Sequence, residues 1–279
     1  MTNWNETLHP RATAGTFTDK QHSTPELVLE AVSDSVDEPT TSPELEAMLV
    51  SADPAWRKNI AENLDTPPAL LEALARSTDR DDRMHVAMNG SLSRATLLRL
   101  ASDPEEYVRE SVAGNDRAPA DALDKLTAED REEGLEYTVC ELVARNPNAS
   151  EEAIRRLATI EEDADYIVAA AAQHPRLPAD THEALVTHPS HIVRRGVALS
   201  HSIPFEAKHA LITDTSEAVR AEVASAQSTP ADVLHRFADD TSVVVRRRLA
   251  ARWGLPEELR QRLLTDPDAD VRNLVAARF

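Results

Sequence analysis

Seven arginines of this 279-residue chain, Arg57, Arg83, Arg109, Arg194, Arg220, Arg246 and Arg272, recur at one point of a short phrase. Its clearest form is Val-Arg, two residues, an apolar residue and Ala, as in Val219-Arg220…Val223-Ala224. A guanidinium presents five N–H donors in a rigid fork that matches a carboxylate or a phosphate. A row of them can grip an anionic ligand, or it can close onto carboxylates that the protein itself supplies. The carboxylates are at hand. Asp103, Asp214, Asp240 and Asp266 each stand six residues before the next such arginine, and Asp53 lies in the first break. An aspartate there can cap the segment that follows by accepting from its N–H groups. The arginine can then reach the neighbouring repeat's aspartate or a carbonyl and form a ladder between layers. We take the ladder as the primary reading and a ligand-binding row as the alternative.

The elements that must position this ladder show in a second marker. Pro178, Pro204, Pro230 and Pro256 are 26 residues apart, each 15 residues before its Val-Arg. Pro119, Ser93 and Pro67 continue the step backwards, Pro43 precedes them, and Ser150 holds the same place in one longer unit. Nine units then fill residues 42–279, a period that signals a solenoid. Apolar residues four and seven positions after the Pro or Ser, as at Leu71 and Leu74 or Leu123 and Leu126, lie on one helical face. Each unit therefore predicts a helix of about ten residues, a break, and a shorter α or 3-10 segment opened by the phrase. The expected fold is all-α, with every unit burying its apolar face on its neighbours.

Composition agrees. Aromatics are 4% of the residues and glycines number six, whereas Ala, Leu and Arg, all strong helix formers, recur throughout. A single cysteine, Cys140, excludes an internal disulfide or an all-cysteine metal site. No stretch approaches the roughly 20 apolar residues of a membrane span, and the first residues lack a signal pattern, so a soluble cytoplasmic protein is expected.

Pro or Ser before a leucine-containing helix, then Asp-Pro (Asp53-Pro54, Asp103-Pro104, Asp266-Pro267), then Val-Arg-x-x-Val-Ala resembles the leucine-rich-repeat variant proteins. The set is also similar to the HEAT repeat pattern, and the resemblance covers about 85% of the chain. It implies a right-handed stack of paired helical segments used chiefly to bind macromolecules. Some variant-repeat proteins carry an N-terminal cysteine-ligated iron–sulfur cluster. With Cys140 alone, no such cofactor is expected here, nor any other.

Special surfaces are expected where the pattern breaks. The fourth and fifth units are longer, with extra residues in "AEDREEGLE" and "TIEEDAD", and there Cys140 and Val168 replace the ladder arginine. Glu129, Asp130, Glu132, Glu133, Glu136, Glu161, Glu162 and Asp163 make this middle the candidate contact region for a basic protein partner, or a hinge in the stack. Arg247, Arg248 and Arg252, beside Trp253, are candidate phosphate-binding residues or one salt-bridged helix face. His174, His182, His188, His191, His201 and His209 cluster in sequence but fall on different segments, which argues against a metal site. The polar leader, residues 1–41, predicts at most a capping helix near 24–33. The chain ends inside a phrase, an end that self-association could cover.

No glycine-rich phosphate loop, HExxH or recognised nucleophile motif occurs. The expected function is a non-enzymatic scaffold that binds a protein along the solenoid. The alternative, resembling the HEAT-like DNA glycosylases, is nucleic-acid binding in an arginine-lined groove. A net charge of −19 weighs against it.

Overall fold

The computed structural model describes residues 52–128, 136–161, 164–203 and 205–278, and every regular element among them is helical. α1 (Pro54–Glu62) is the Val-Arg helix of the first repeat. Pro-opened and Val-Arg helices then alternate: α2 (Pro68–Leu74) and α3 (Arg80–Ala87), α4 (Arg94–Leu100) and α5 (Glu106–Ala113), α6 (Ala120–Leu126) and α7 (Tyr137–Arg145). Next come α8 (Glu151–Ala158) and α9 (Asp165–Gln173), then α10 (Ala179–Val186) and α11 (His191–Leu199). α12 (Phe205–Lys208) runs into a 3-10 segment (His209–Thr213) before α13 (Glu217–Ser225). The order closes with α14 (Ala231–Ala238), α15 (Val243–Ala250), α16 (Glu257–Leu263) and α17 (Ala269–Ala276). The leader, the capping helix expected near 24–33 and the Pro-opened half of the first repeat lie outside the described residues.

Local chemistry starts each helix. Ser93, Ser150, Ser190 and Ser242 stand at N-caps, and each hydroxyl accepts from an N–H of the first turn. Pro67, Pro119, Pro178, Pro230 and Pro256 occupy the N-cap itself, in extended geometry, rather than the first helical residue. That placement corrects the expected long-then-short pairing. A proline outside the helix leaves the first helix seven or eight residues long, whereas caps upstream of the phrase give Val-Arg helices of eight or nine. The 3-10 geometry falls in a Pro-opened segment, His209–Thr213, not in a Val-Arg segment.

Packing follows the pattern. Leu71, Leu74, Leu97, Leu100, Leu123 and Leu126 are at most 2% exposed, and the valines of the phrase are equally buried. Each such side chain contributes about 1.5–3 kcal/mol on burial. Consecutive Val-Arg helices lie directly against one another from α1 to α17, while Pro-opened helices touch their counterparts less. The closely stacked Val-Arg row forms one side of a helical-repeat solenoid. At its far end Leu259, Leu263, Val271 and Val275 are already buried, and Arg278 stacks 4.9 Å above the Trp253 ring. No helix among the described residues is long and apolar enough to cross a membrane.

Candidate functional site

Every ladder arginine except Arg272 works in two directions. Arg220 Nη1 donates to the Asp214 carbonyl of its own break at 2.7 Å, while Nε and Nη2 form a fork onto Asp240 of the next repeat at 2.7 and 2.9 Å. Arg194 meets Asp214, Arg246 meets Asp266 and Arg83 meets Asp103 in the same way, at 2.6–2.8 Å for the Nε contact. The aspartates simultaneously accept from backbone N–H groups two residues on, as Asp240 does from Ser242 at 2.8 Å. Burial is the largest single influence on the Asp214 and Asp240 carboxyls and would raise them, but the arginine and backbone hydrogen bonds and the nearby arginine charges together hold both below the ordinary value. Arg272 binds the Asp266 and Pro267 carbonyls at 2.6 and 3.0 Å.

Irregular rungs are closed by other acids. Arg57 takes Asp82 and Asp79, and Arg109 takes Glu136, so that candidate partner-binding residue is already engaged. Asp53 stands four rather than six residues before its arginine, caps α1 by accepting from Ala55 N–H at 2.7 Å, and belongs to a different register. Cys140 and Val168 are buried at the ladder position, and at Val168 the connection changes in kind. A Cβ added to Gly196 of α11 would lie 2.5 Å from the Ala169 carbonyl oxygen of α9 and 2.9 Å from its Cα. Backbone against backbone replaces the ion pair there.

A second ladder escaped the sequence reading. Asn89 donates to the Ala61 and Asn63 carbonyls of the preceding repeat and accepts from Ser91 N–H; Asn115 and Asn146 repeat this one unit later each. These amides satisfy carbonyls that a helix C-terminus leaves open. His174 continues the row with Nε2 3.1 Å from the Asn146 carbonyl, and Arg252 ends it by donating to Ala226, Gln227 and Thr229. The signal was present: Asn63, Asn89, Asn115 and Asn146 each stand four residues before the Pro or Ser marker.

Two of the clustered histidines have structural places, His174 within this ladder and His182 against the Ala172 carbonyl. His174 and His182 are buried, and burial lowers both below the ordinary 6.5, against the opposing pull of the Asn146 and Ala172 carbonyls and with help from Arg176 and Lys208. His188 Nδ1 accepts from Ser190 N–H at 3.2 Å, taking over the aspartate's capping role, while His191 and His201 are exposed. No group of three metal-ligating side chains forms among the described residues. A lowered folded-state value means that the unfolded chain binds the protons more readily. Stability is then full above about pH 6.5 and lost as pH falls from there toward the lowered values. The urea midpoint is expected to fall between pH 6.5 and 5, and less so in His174→Asn, which keeps the ladder contacts without a titrating ring.

Arg247 is held by Asp268 and Asp270 at 3.0 and 2.8 Å, Arg248 faces Glu222 at 3.5 Å, and Arg252 is buried under carbonyls. The three candidate phosphate ligands thus do not converge. Of the acidic candidates, Glu129, Asp130, Glu132, Glu133, Glu162 and Asp163 lie outside the described residues, and Glu161 is exposed after α8.

What the row of Val-Arg helices does assemble is aromatic. The chain has three tyrosines, and Tyr107, Tyr137 and Tyr166 stand in the first turns of the consecutive helices α5, α7 and α9, exposed by 59%, 48% and 71%. Tyr107, with Arg80, Asp81 and Met84, lines a cavity of about 320 Å³ between α3 and α5. Tyr166 lines another of about 350 Å³ over α9 and α11, whose floor is Ala169, Ala170 and Gly196 and whose margins carry Arg145 and Arg195. Register could have exposed this, since Tyr107 and Tyr166 each immediately precede the buried Val108 and Ile167 of the phrase. No protein-family model matches this sequence, and no curated protein is significantly similar to it.

Proposed function

We propose that this protein is a non-catalytic scaffold that binds an extended segment of a partner polypeptide along the row of Val-Arg helices. One observation carries the reading: all three tyrosines stand exposed in consecutive repeats, two of them lining cavities. Tyrosine combines large apolar area with a hydrogen-bonding tip at low entropic cost, which is why it is enriched at interfaces. A cytoplasmic setting suits a chain whose one cysteine is buried. The nucleic-acid alternative draws no support from Arg247, Arg248 and Arg252, which are engaged by acids and carbonyls.

Recovery of partners on the tagged protein from its native lysate tests this, with nuclease treatment and with Tyr107→Ala/Tyr166→Ala in parallel. A stoichiometric protein that survives nuclease and falls at least tenfold on the double variant is expected. Recovery that collapses with nuclease, or that ignores both tyrosines, would overturn the reading.

A further inference from the structure

The cavity over α9 and α11 says more about the partner than the tyrosines do. The chain carries a charge of −19, yet among the described residues no Asp or Glu lines this cavity. Its charged margin is Arg145 from α7 and Arg195 from α11, with His191 at the start of α11. Arg145 is held by Glu141 of its own helix at 2.9 Å, a surface pair with both side chains near half exposed. Such a pair is worth little and is readily exchanged for a better acceptor. Arg195 is the stronger case. Its Nε and Nη2 both reach one oxygen of the buried Glu222, at 3.0 and 2.9 Å, and Arg248 approaches the same oxygen at 3.5 Å. Two guanidiniums therefore share one carboxylate, leaving an excess positive charge beside a notch floored by Ala169, Ala170 and Gly196. Arg195 Nη1 has no protein partner among the described residues.

We infer that this notch takes an extended, acidic stretch of the partner polypeptide. A partner carboxylate sits between Arg145 and Arg195, and an adjacent small aliphatic side chain lies on the alanine–glycine floor against Tyr166. The inference rests on the scaffold reading above and reverses the expectation of a basic partner, because the charged side chains bordering this notch are arginines. A continuous polyanion fits poorly. Two registers further toward the N-terminus, the positions equivalent to Ala169 and Arg195 are filled by Glu110 and Glu141, and Asp81 lines the cavity beyond them. Burial and the neighbouring Glu106 raise the Glu110 carboxyl, the mark of a locally acidic surface that repels regularly spaced phosphates. Only a segment whose negative charge is confined to a residue or two avoids those acids.

The test selects binders from a phage-displayed random 12-mer library on the full chain, then titrates the fluorescein-labelled winners by anisotropy at low and high salt. Enrichment of Asp or Glu next to Ala, Val or Leu is expected, with Kd rising at least tenfold in Arg145→Glu and in Arg195→Gln, and recovery on Arg145→Glu when the peptide's acid is changed to Lys. Circular dichroism melts establish that both variants fold, and Arg145→Glu alters only an exposed pair should Arg195→Gln not. Winners that are neutral or basic, or whose binding ignores both arginines while still failing on Tyr166→Ala, would overturn the acidic assignment and leave the scaffold reading standing. Absence of any winner would overturn both. Tighter binding of a labelled single-stranded oligonucleotide than of any peptide, lost in Arg195→Gln, would replace the polypeptide with nucleic acid.

Discussion

Asp240→Ala is expected to destabilise the solenoid by about 3–5 kcal/mol, the usual consequence of removing one partner from a buried ion pair. Arg220 would keep its bond to the Asp214 carbonyl but lose both contacts of its fork, in a site where its side chain is 15% exposed and that of Asp240 only 9%. The same oxygen also accepts from Ser242 N–H, so the cap of α15 weakens with the rung. Asp240→Asn, which keeps an acceptor but no charge, should fall between the two. Arg220→Met/Asp240→Ala should regain much of the loss, because no orphan charge remains buried. Urea denaturation followed by circular dichroism measures all three. A loss below about 1 kcal/mol for Asp240→Ala, the range of an exposed pair, would mean that the rungs do not hold the layers together. In a stack where each repeat touches only its neighbours, the break should appear as a separate early transition of the last repeats rather than uniform softening.

Gly196→Ala runs against the rule for helix interiors, where alanine is worth up to about 1 kcal/mol over glycine. Here the new methyl would meet the Ala169 carbonyl oxygen at 2.5 Å and its Cα at 2.9 Å. Both are backbone atoms, so no side-chain rotation relieves the clash and α9 and α11 must separate. The expected loss is about 2–3 kcal/mol after the propensity gain, in the range of overpacked cores. Ala169→Gly should fail to rescue it, because the obstructing atoms remain. Gly90→Ala is the control: its methyl would meet only the Arg117 side chain, at 3.5 Å, and should change stability by less than about 0.5 kcal/mol. A neutral Gly196→Ala would show that the two helices do not approach so closely. Widening that contact also widens the notch, so peptide binding should weaken along with stability.

These two sites divide what could be read in advance from what could not. Arg220 and Asp240 stand 20 residues apart in the same relation as Arg194 and Asp214, so the rung was legible as a repeated spacing. Arg57 and Arg109 were legible only as arginines in need of an acid. Asp82 and Glu136 satisfy them from positions that the regular spacing does not predict. Gly196 carried no signal, since a glycine inside a helical phrase reads as a mere weakness until the neighbouring backbone is in place. The asparagine row is written in register with the Pro or Ser marker, but an asparagine before a helix start reads as an ordinary turn residue until the preceding repeat's carbonyls are in place.

The sequence by itself determined the period, the all-helical class, the starts of the helices and the buried face of each. All of these depend on residues within one repeat: a cap, a proline, an apolar spacing near 3.6. The tertiary structure alone decided which acid closes each irregular rung, that Arg247, Arg248 and Arg252 face protein acceptors, and that Tyr166, Arg145 and Arg195 border one notch. Such juxtapositions join residues tens of positions apart, and they are set by the rotation between stacked layers, which no single repeat encodes.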